Sequence, residues 1–135
     1  MKRYYAMKWA KYLEQPGLKQ ARHILIDRKA KKVTKSTPKC CLGHLEFMLG
    51  TKFEKKTGAC MSDSRPVWVA KDTSSYAVVS PETQNKLDMK SSCGGTSLSV
   101  LPGAITEWDN LAEANDGGLS LKEIAKIIRK HWKEI

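Results

Sequence analysis

Five side chains in this sequence could bind a metal or act as nucleophiles: Cys40, Cys41, His44, Cys60 and Cys93. Zinc takes four such ligands in a tetrahedron, usually from closely spaced pairs. Cys40 and His44 stand at i, i+4 and share a helix face. Cys40 and Cys41 are adjacent, about 100° apart around a helix, and so poorly placed for one ion. Cys60 and Cys93 would have to converge from separate loops, and no C-x-x-C knuckle is present. The favoured expectation is four reduced, buried thiols and no cofactor. A small zinc-stabilised module using Cys40, His44, Cys60 and Cys93 is one alternative.

A cysteine-dependent enzyme is the other. Cys40 and Cys41 fall in the first turn of an expected helix, where the macrodipole lowers a thiol pKa and Lys39 adds positive charge. The base would be His44, which lies too far along the same helix to act simply, or His23, approaching from another segment. An apolar cysteine on a core helix is the preferred reading. There is no G-x-x-x-x-G-K-[ST], H-E-x-x-H or G-x-S-x-G, and the carboxylates are scattered. Asn115-Asp116-Gly117-Gly118 lacks the acidic ligands of a calcium loop. Gly117 to Ala125 looks like the opening of a helix-turn-helix, but that motif needs a recognition helix after it, and none follows. His131 falls on the apolar face of the last helix, near its C-terminus, where the dipole favours a charged imidazole and a structural role.

The remaining feature is charge. The chain of 135 residues carries a formal +10. Residues 1–65 hold 16 Lys/Arg against 5 Asp/Glu, and residues 66–135 hold 8 against 9. The basic half therefore carries the excess, and such a field attracts polyanions. Lys19, Arg22, His23, Arg28, Lys29, Lys31, Lys32, Lys35 and Lys39 lie within one short stretch. On a β-hairpin their alternation would build a cationic strip for phosphates. No aromatic residue is interleaved among them, so reading of bases by stacking is not expected there. The function this favours is non-enzymatic binding of a polyanion: a nucleic acid, a nucleotide, or a protein that itself binds nucleic acid.

The elements that position these residues follow from periodicity. Tyr5, Trp9, Tyr12 and Leu13 make one stripe of a helix over 3–14, ended by Pro16-Gly17. His23 to Ile26 and Lys32 to Lys35 read as the two strands of the basic hairpin, with residues 27–31 as its loop. Residues 38–49 read as a helix with Thr37 as cap, Pro38 in the first turn and Gly50 as stop. It is apolar on two sides, as expected of the helix at the centre of the fold. Residues 51–65 read as a loop, 66–71 and 75–79 as strands, and 80–89 as a short helical turn. Residues 91–99 read as a loop and 101–108 as a helix continuing toward Ala114. Ser120-Leu121-Lys122-Glu123 is a capping box opening the last helix. Leu121, Ile124, Ala125, Ile128 and Trp132 line one face of that helix.

The fold expected is a single α+β domain over 1–135, with about four helices around a small, mostly antiparallel sheet. No run of apolar residues reaches the length of a membrane span, and Met1-Lys2-Arg3-Tyr4-Tyr5 does not open a signal peptide, so a cytoplasmic setting is expected.

Four ordered segments carry a resemblance. They are Trp9-x-x-x-Leu13 with Gly17 and Gln20; Cys40-Cys41-Leu42-Gly43; Leu101-Pro102 with Trp108; and Leu111-Ala112-x-x-Asn115-Asp116-x-Gly118-x-Ser120-x-x-Glu123-Ile124-Ala125-x-x-Ile128. Together they resemble a group of small uncharacterised bacteriophage accessory proteins, and they leave 51–100 uncovered. The aromatic residue frequent in that group before the paired cysteines is Lys39 here. The resemblance implies a phage protein in the cytoplasm of an infected bacterial host, acting on host machinery or host defence. It brings no catalytic residue.

Overall fold

In the computed structural model, which describes residues 1–60, 64–95, 98 and 108–135, the Trp9 stripe becomes α1 (Arg3–Leu13). Its N-cap, Lys2, makes no side-chain cap, so packing rather than capping holds this helix: Ala6, Trp9, Ala10 and Leu13 are buried. The partner is α5 (Leu121–His131), the best-specified helix of the chain. Ser120 and Glu123 close the expected capping box, with Glu123 N donating to Ser120 Oγ (3.2 Å) and Ser120 N donating to Glu123 Oε2 (2.8 Å). Leu121, Ile124, Ala125, Ile127 and Ile128 are buried, and each large aliphatic contributes about 1.5–3 kcal/mol. Outside this seam Arg129 grips Glu14 through two hydrogen bonds, of 3.1 and 2.7 Å.

The helix at the centre is α2 (Cys41–Met48), all of whose residues from Cys41 to Glu46 are buried. It starts later than its sequence indicates. Thr37 and Pro38 lie outside it, and Cys40 is the cap, its Sγ accepting from Gly43 N at 3.3 Å. The cause is visible at Gly43, where a Cβ would stand 2.1 Å from the carbonyl oxygen of Leu25. The incoming chain packs directly on the helix backbone, and only glycine admits it.

The expected hairpin over 23–35 does not form. His23 takes a left-handed φ of 63°, which interrupts a strand, and the consecutive residues Leu25 and Ile26 are both buried, against the alternation of a strand. Thr37 Oγ1 accepts from Thr34 N (2.9 Å) and donates to Lys32 O (3.1 Å), a local network that replaces a return strand. The segment is instead a long excursion closed at Lys39, which bridges Gln20 in parallel and Ile26 in antiparallel fashion.

The sheet lies elsewhere. β1 (Phe53–Lys56), within a stretch expected to be loop, pairs antiparallel with β2 (Val67–Ala70), from Phe53 opposite Ala70 to Lys56 opposite Val67. Residues 75–79 are not a strand; there Leu25 N donates to Tyr76 O (2.7 Å). α3 (Pro81–Leu87) is the short helix expected after Ser80, and α4 (Leu111–Asp116) opens from Asn110, so helical structure is not continuous from Trp108. The expected helix over 101–108 lies, apart from Trp108, outside the described residues. The architecture is a single small α+β domain with five helices and one two-stranded antiparallel sheet among the described residues. Among these residues no helix is long and apolar enough to cross a membrane.

One buried polar seam joins the ends of the chain. Asn115, fully buried on α4, accepts at Oδ1 from Cys41 N (3.1 Å) and Gln20 Nε2 (2.9 Å), and donates from Nδ2 to Ala21 O (2.9 Å). Gln20 Nε2 also donates to Leu119 O (2.8 Å), and Trp9 Nε1 donates to Cys41 O (3.1 Å). Trp9, Gln20, Cys41 and Asn115, distant in sequence, therefore meet at one structural joint.

Candidate polyanion-binding site

The excursion closed at Lys39 sorts the basic residues. Lys19, Arg22, His23, Lys29, Lys31, Lys32 and Lys35 are exposed, and Arg28 is half-buried. Lys39 does not belong with them. It is fully buried, its ammonium donates to Thr34 O (2.6 Å), Lys35 O (3.3 Å) and Thr37 O (2.8 Å), and it lies 4.4 Å from the centre of the Phe47 ring. Burial lowers its pKa to about 8, so it stays protonated at neutral pH and serves as the knot of the loop. His23 pairs with Asp116, with Nδ1 to Oδ2 at 3.2 Å.

Cys40 and Cys41 are buried, and desolvation raises the Cys40 thiol to about 12 and Cys41 well above its ordinary value. Their side chains make hydrogen bonds to the backbone, with Cys41 Sγ donating to Leu111 O (3.5 Å). The burial of both thiols overrides the helix N-terminus that sequence reasoning invoked. Cys60 belongs to a second, smaller apolar cluster with Val67 and Val69, where it meets the Tyr76 hydroxyl. Cys93 is half-buried in another loop. Among the described residues no three His, Cys, Asp or Glu side chains are placed to hold a metal, so Cys40, His44, Cys60 and Cys93 are not brought together. His44, fully buried, meets Lys19 O through Nε2 (3.0 Å), and desolvation lowers its pKa to about 4. The neutral ring therefore carries its proton on Nε2 and donates to that carbonyl. His131 also departs from expectation, because burial lowers its pKa and outweighs the helix dipole.

Pairing of β1 with β2 creates what the basic segment lacks. Residues opposite one another in the ladder share a face, so Phe53 and Lys55 stand with Ala70 and Trp68 on one side. Trp68 Nε1 donates to Ala30 O (3.1 Å) and Lys55 Nζ donates to Arg28 O (3.3 Å), which docks the excursion on that face. The result is a groove of about 470 Å³ walled by Phe47, Phe53 and Trp68, with Lys32 and Lys52 also lining it. The three rings are half-buried and both lysines are exposed. Lys55 Nζ lies 5.4 Å from the centre of the Trp68 ring.

A second depression of about 320 Å³ adjoins the first and shares Gly50, Thr51 and Lys52 with it. Lys52, Lys71 and Lys86 line it, together with Asp72 and Glu82. Its floor is fixed by the buried carboxylate of Glu46, which accepts from Ser80 N (2.6 Å), Thr83 Oγ1 (2.7 Å) and Thr51 Oγ1 (2.5 Å). Sequence reasoning missed both depressions, since Phe47 was assigned to a core helix and Phe53 to a loop. The only signal available was the aromatic residue in each of two lysine-bearing segments, 53–56 and 67–71.

Comparison with family models, with curated proteins and with solved structures finds no match to this chain.

Proposed function

We propose that this protein is a non-enzymatic binding protein whose basic N-terminal half engages a polyanion. The observation that carries this reading is the row Lys29, Lys31, Lys32 and Lys35. All four are exposed, Lys32 lines the aromatic groove, and none is neutralised by an ion pair among the described residues. Ammonium groups left in solvent on a docked loop attract phosphates and release counterions on binding. The resemblance to phage accessory proteins supplies the setting: an infected bacterial cytoplasm, with host machinery or host defence as the target.

Binding of labelled DNA and RNA, followed by fluorescence anisotropy across a salt series, tests this. Affinity should fall steeply with salt, and the slope of log K against log salt counts phosphate contacts at about 0.7–0.9 each. Replacing Lys29, Lys31, Lys32 and Lys35 together by Glu should weaken binding by at least several-fold. Unchanged binding would remove the site. The cysteine-enzyme reading meets two thiols held protonated by burial. Its test is alkylation of native protein near neutral pH, where reaction as slow as for a buried thiol counts against it.

A further inference from the structure

Resting on the polyanion-binding reading above, we infer that the occupant is a single-stranded nucleic acid, its bases stacked in the aromatic groove and its phosphates on the lysines of the adjoining depression. The two depressions meet at Gly50, Thr51 and Lys52, so one strand runs from one to the other without leaving the surface. Phe53 and Trp68 are held by the β1–β2 ladder and Phe47 by α2, so the rings are rigidly placed before anything binds. Every unpaired base offers a π-face to such rings, whereas a duplex hides its bases' faces and an acidic protein surface presents chiefly carboxylates.

The charge pattern agrees. Lys52, Lys71 and Lys86 are exposed and make no ion pair with Asp72 or Glu82 among the described residues, so their ammonium groups are available to phosphate. The two carboxylates limit that depression to a few phosphates and disfavour the dense phosphate rows of a duplex. Lys55, exposed, bonded to Arg28 O and with its ammonium 5.4 Å from the Trp68 ring centre, adds a positive charge beside the stacking surface.

The experiment compares four labelled probes at one moderate salt concentration: a short oligothymidylate, an abasic strand of equal length and charge, a duplex of equal length, and poly-glutamate. The oligothymidylate should bind about tenfold or more tighter than the abasic strand, as stacking on aromatic side chains implies. It should also quench tryptophan fluorescence, and Trp68→Phe should remove most of the quench while keeping a stacking ring. Phe53→Leu, which keeps apolar volume, should bring oligothymidylate down toward abasic affinity. Lys52→Glu with Lys71→Glu and Lys86→Glu should weaken both strands alike. Should Phe53→Leu fail to fold, the wild-type comparison of base-bearing and abasic strands still decides. Equal binding of the abasic strand, the duplex or poly-glutamate overturns the single-strand inference and leaves polyanion binding standing. Binding of none of the four overturns both.

Discussion

Around Asn115 the carboxamide and its neighbours are fully used by protein partners: Cys41 N, Gln20 Nε2 and Ala21 O all end on one buried side chain. Around Trp68 the ammonium groups of Lys32 and Lys52 remain in solvent beside half-buried rings. The first region joins three distant stretches of chain, and its buried carboxamide is taken up by protein partners. The second is held together by a short ladder and two side-chain bonds to loop carbonyls, and it presents unused donors. A polar cluster built for stability is saturated, and one built for binding is not. That contrast separates the buried joint of Trp9, Gln20, Cys41 and Asn115 from the residues proposed to bind.

The contrast can be broken most severely at Gly43. Gly43→Ala would place a methyl 2.1 Å from Leu25 O, and a loss of about 4 kcal/mol or more is expected. Chemical denaturation or failure of soluble expression reads it. Asn115→Ala should cost about 2 kcal/mol, because it leaves the buried Cys41 amide and the part-buried Ala21 carbonyl without this partner. At a temperature where this variant is folded, its affinity for a polyanion should match the parent protein. A loss of binding without loss of stability would erase the division between the two regions.

Acid should act on the joint rather than on the groove. His44 is folded with a pKa near 4 and unfolds to an ordinary value of 6.5, so the unfolded chain binds the extra proton between these limits. Stability is therefore fully present above pH 6.5 and is lost as pH falls toward 4, by up to about 3 kcal/mol from this residue. His131, lowered by burial, adds in the same direction. Urea melts at several pH values should show the slope, and His44→Gln should flatten it.

Smaller effects sharpen the comparison. The fourfold lysine-to-glutamate variant on the excursion should change stability by no more than about 0.5 kcal/mol per site while weakening binding, since these side chains are exposed. Thermal melts and anisotropy on the same sample test both halves of that statement. Least of all, a double-mutant cycle on Glu14 and Arg129 should give about 0.5 kcal/mol, reduced by added salt, because the pair is exposed despite its two hydrogen bonds.

Much of the scaffold was legible where local signals suffice. The capping box at Ser120, the stripes of α1 and α5 and the two-sided burial of α2 follow from spacing alone. Errors came where distant segments decide. β1 contains one apolar residue among charged ones, and only its pairing with Val67–Ala70 makes it a strand. The basic hairpin failed because hydroxyl groups at Thr34 and Thr37, and the left-handed His23, satisfy the backbone locally. The candidate site was half legible. Its lysines are a sequence feature, but the rings that face them come from residues 47, 53 and 68, and their meeting is a property of the fold. Lys39 counts as one more cation in the sequence and becomes the anchor of a loop only in space.

That anchor has a consequence for how the chain can vary. The bridges to Gln20 and Ile26 shut the excursion at its neck, so the length of the arc beyond the neck is weakly constrained by polymer entropy. Doubling such an arc costs only about 0.6 kcal/mol. Insertions at Lys31, between the docking carbonyl of Ala30 and the carbonyl of Lys32 that Thr37 holds, and exchanges of the exposed side chains at Lys31, Lys32 and Lys35, should therefore be accepted by the same scaffold. The ligand-facing arc can diversify quickly while the knot at Lys39 and the joint at Asn115 stay fixed.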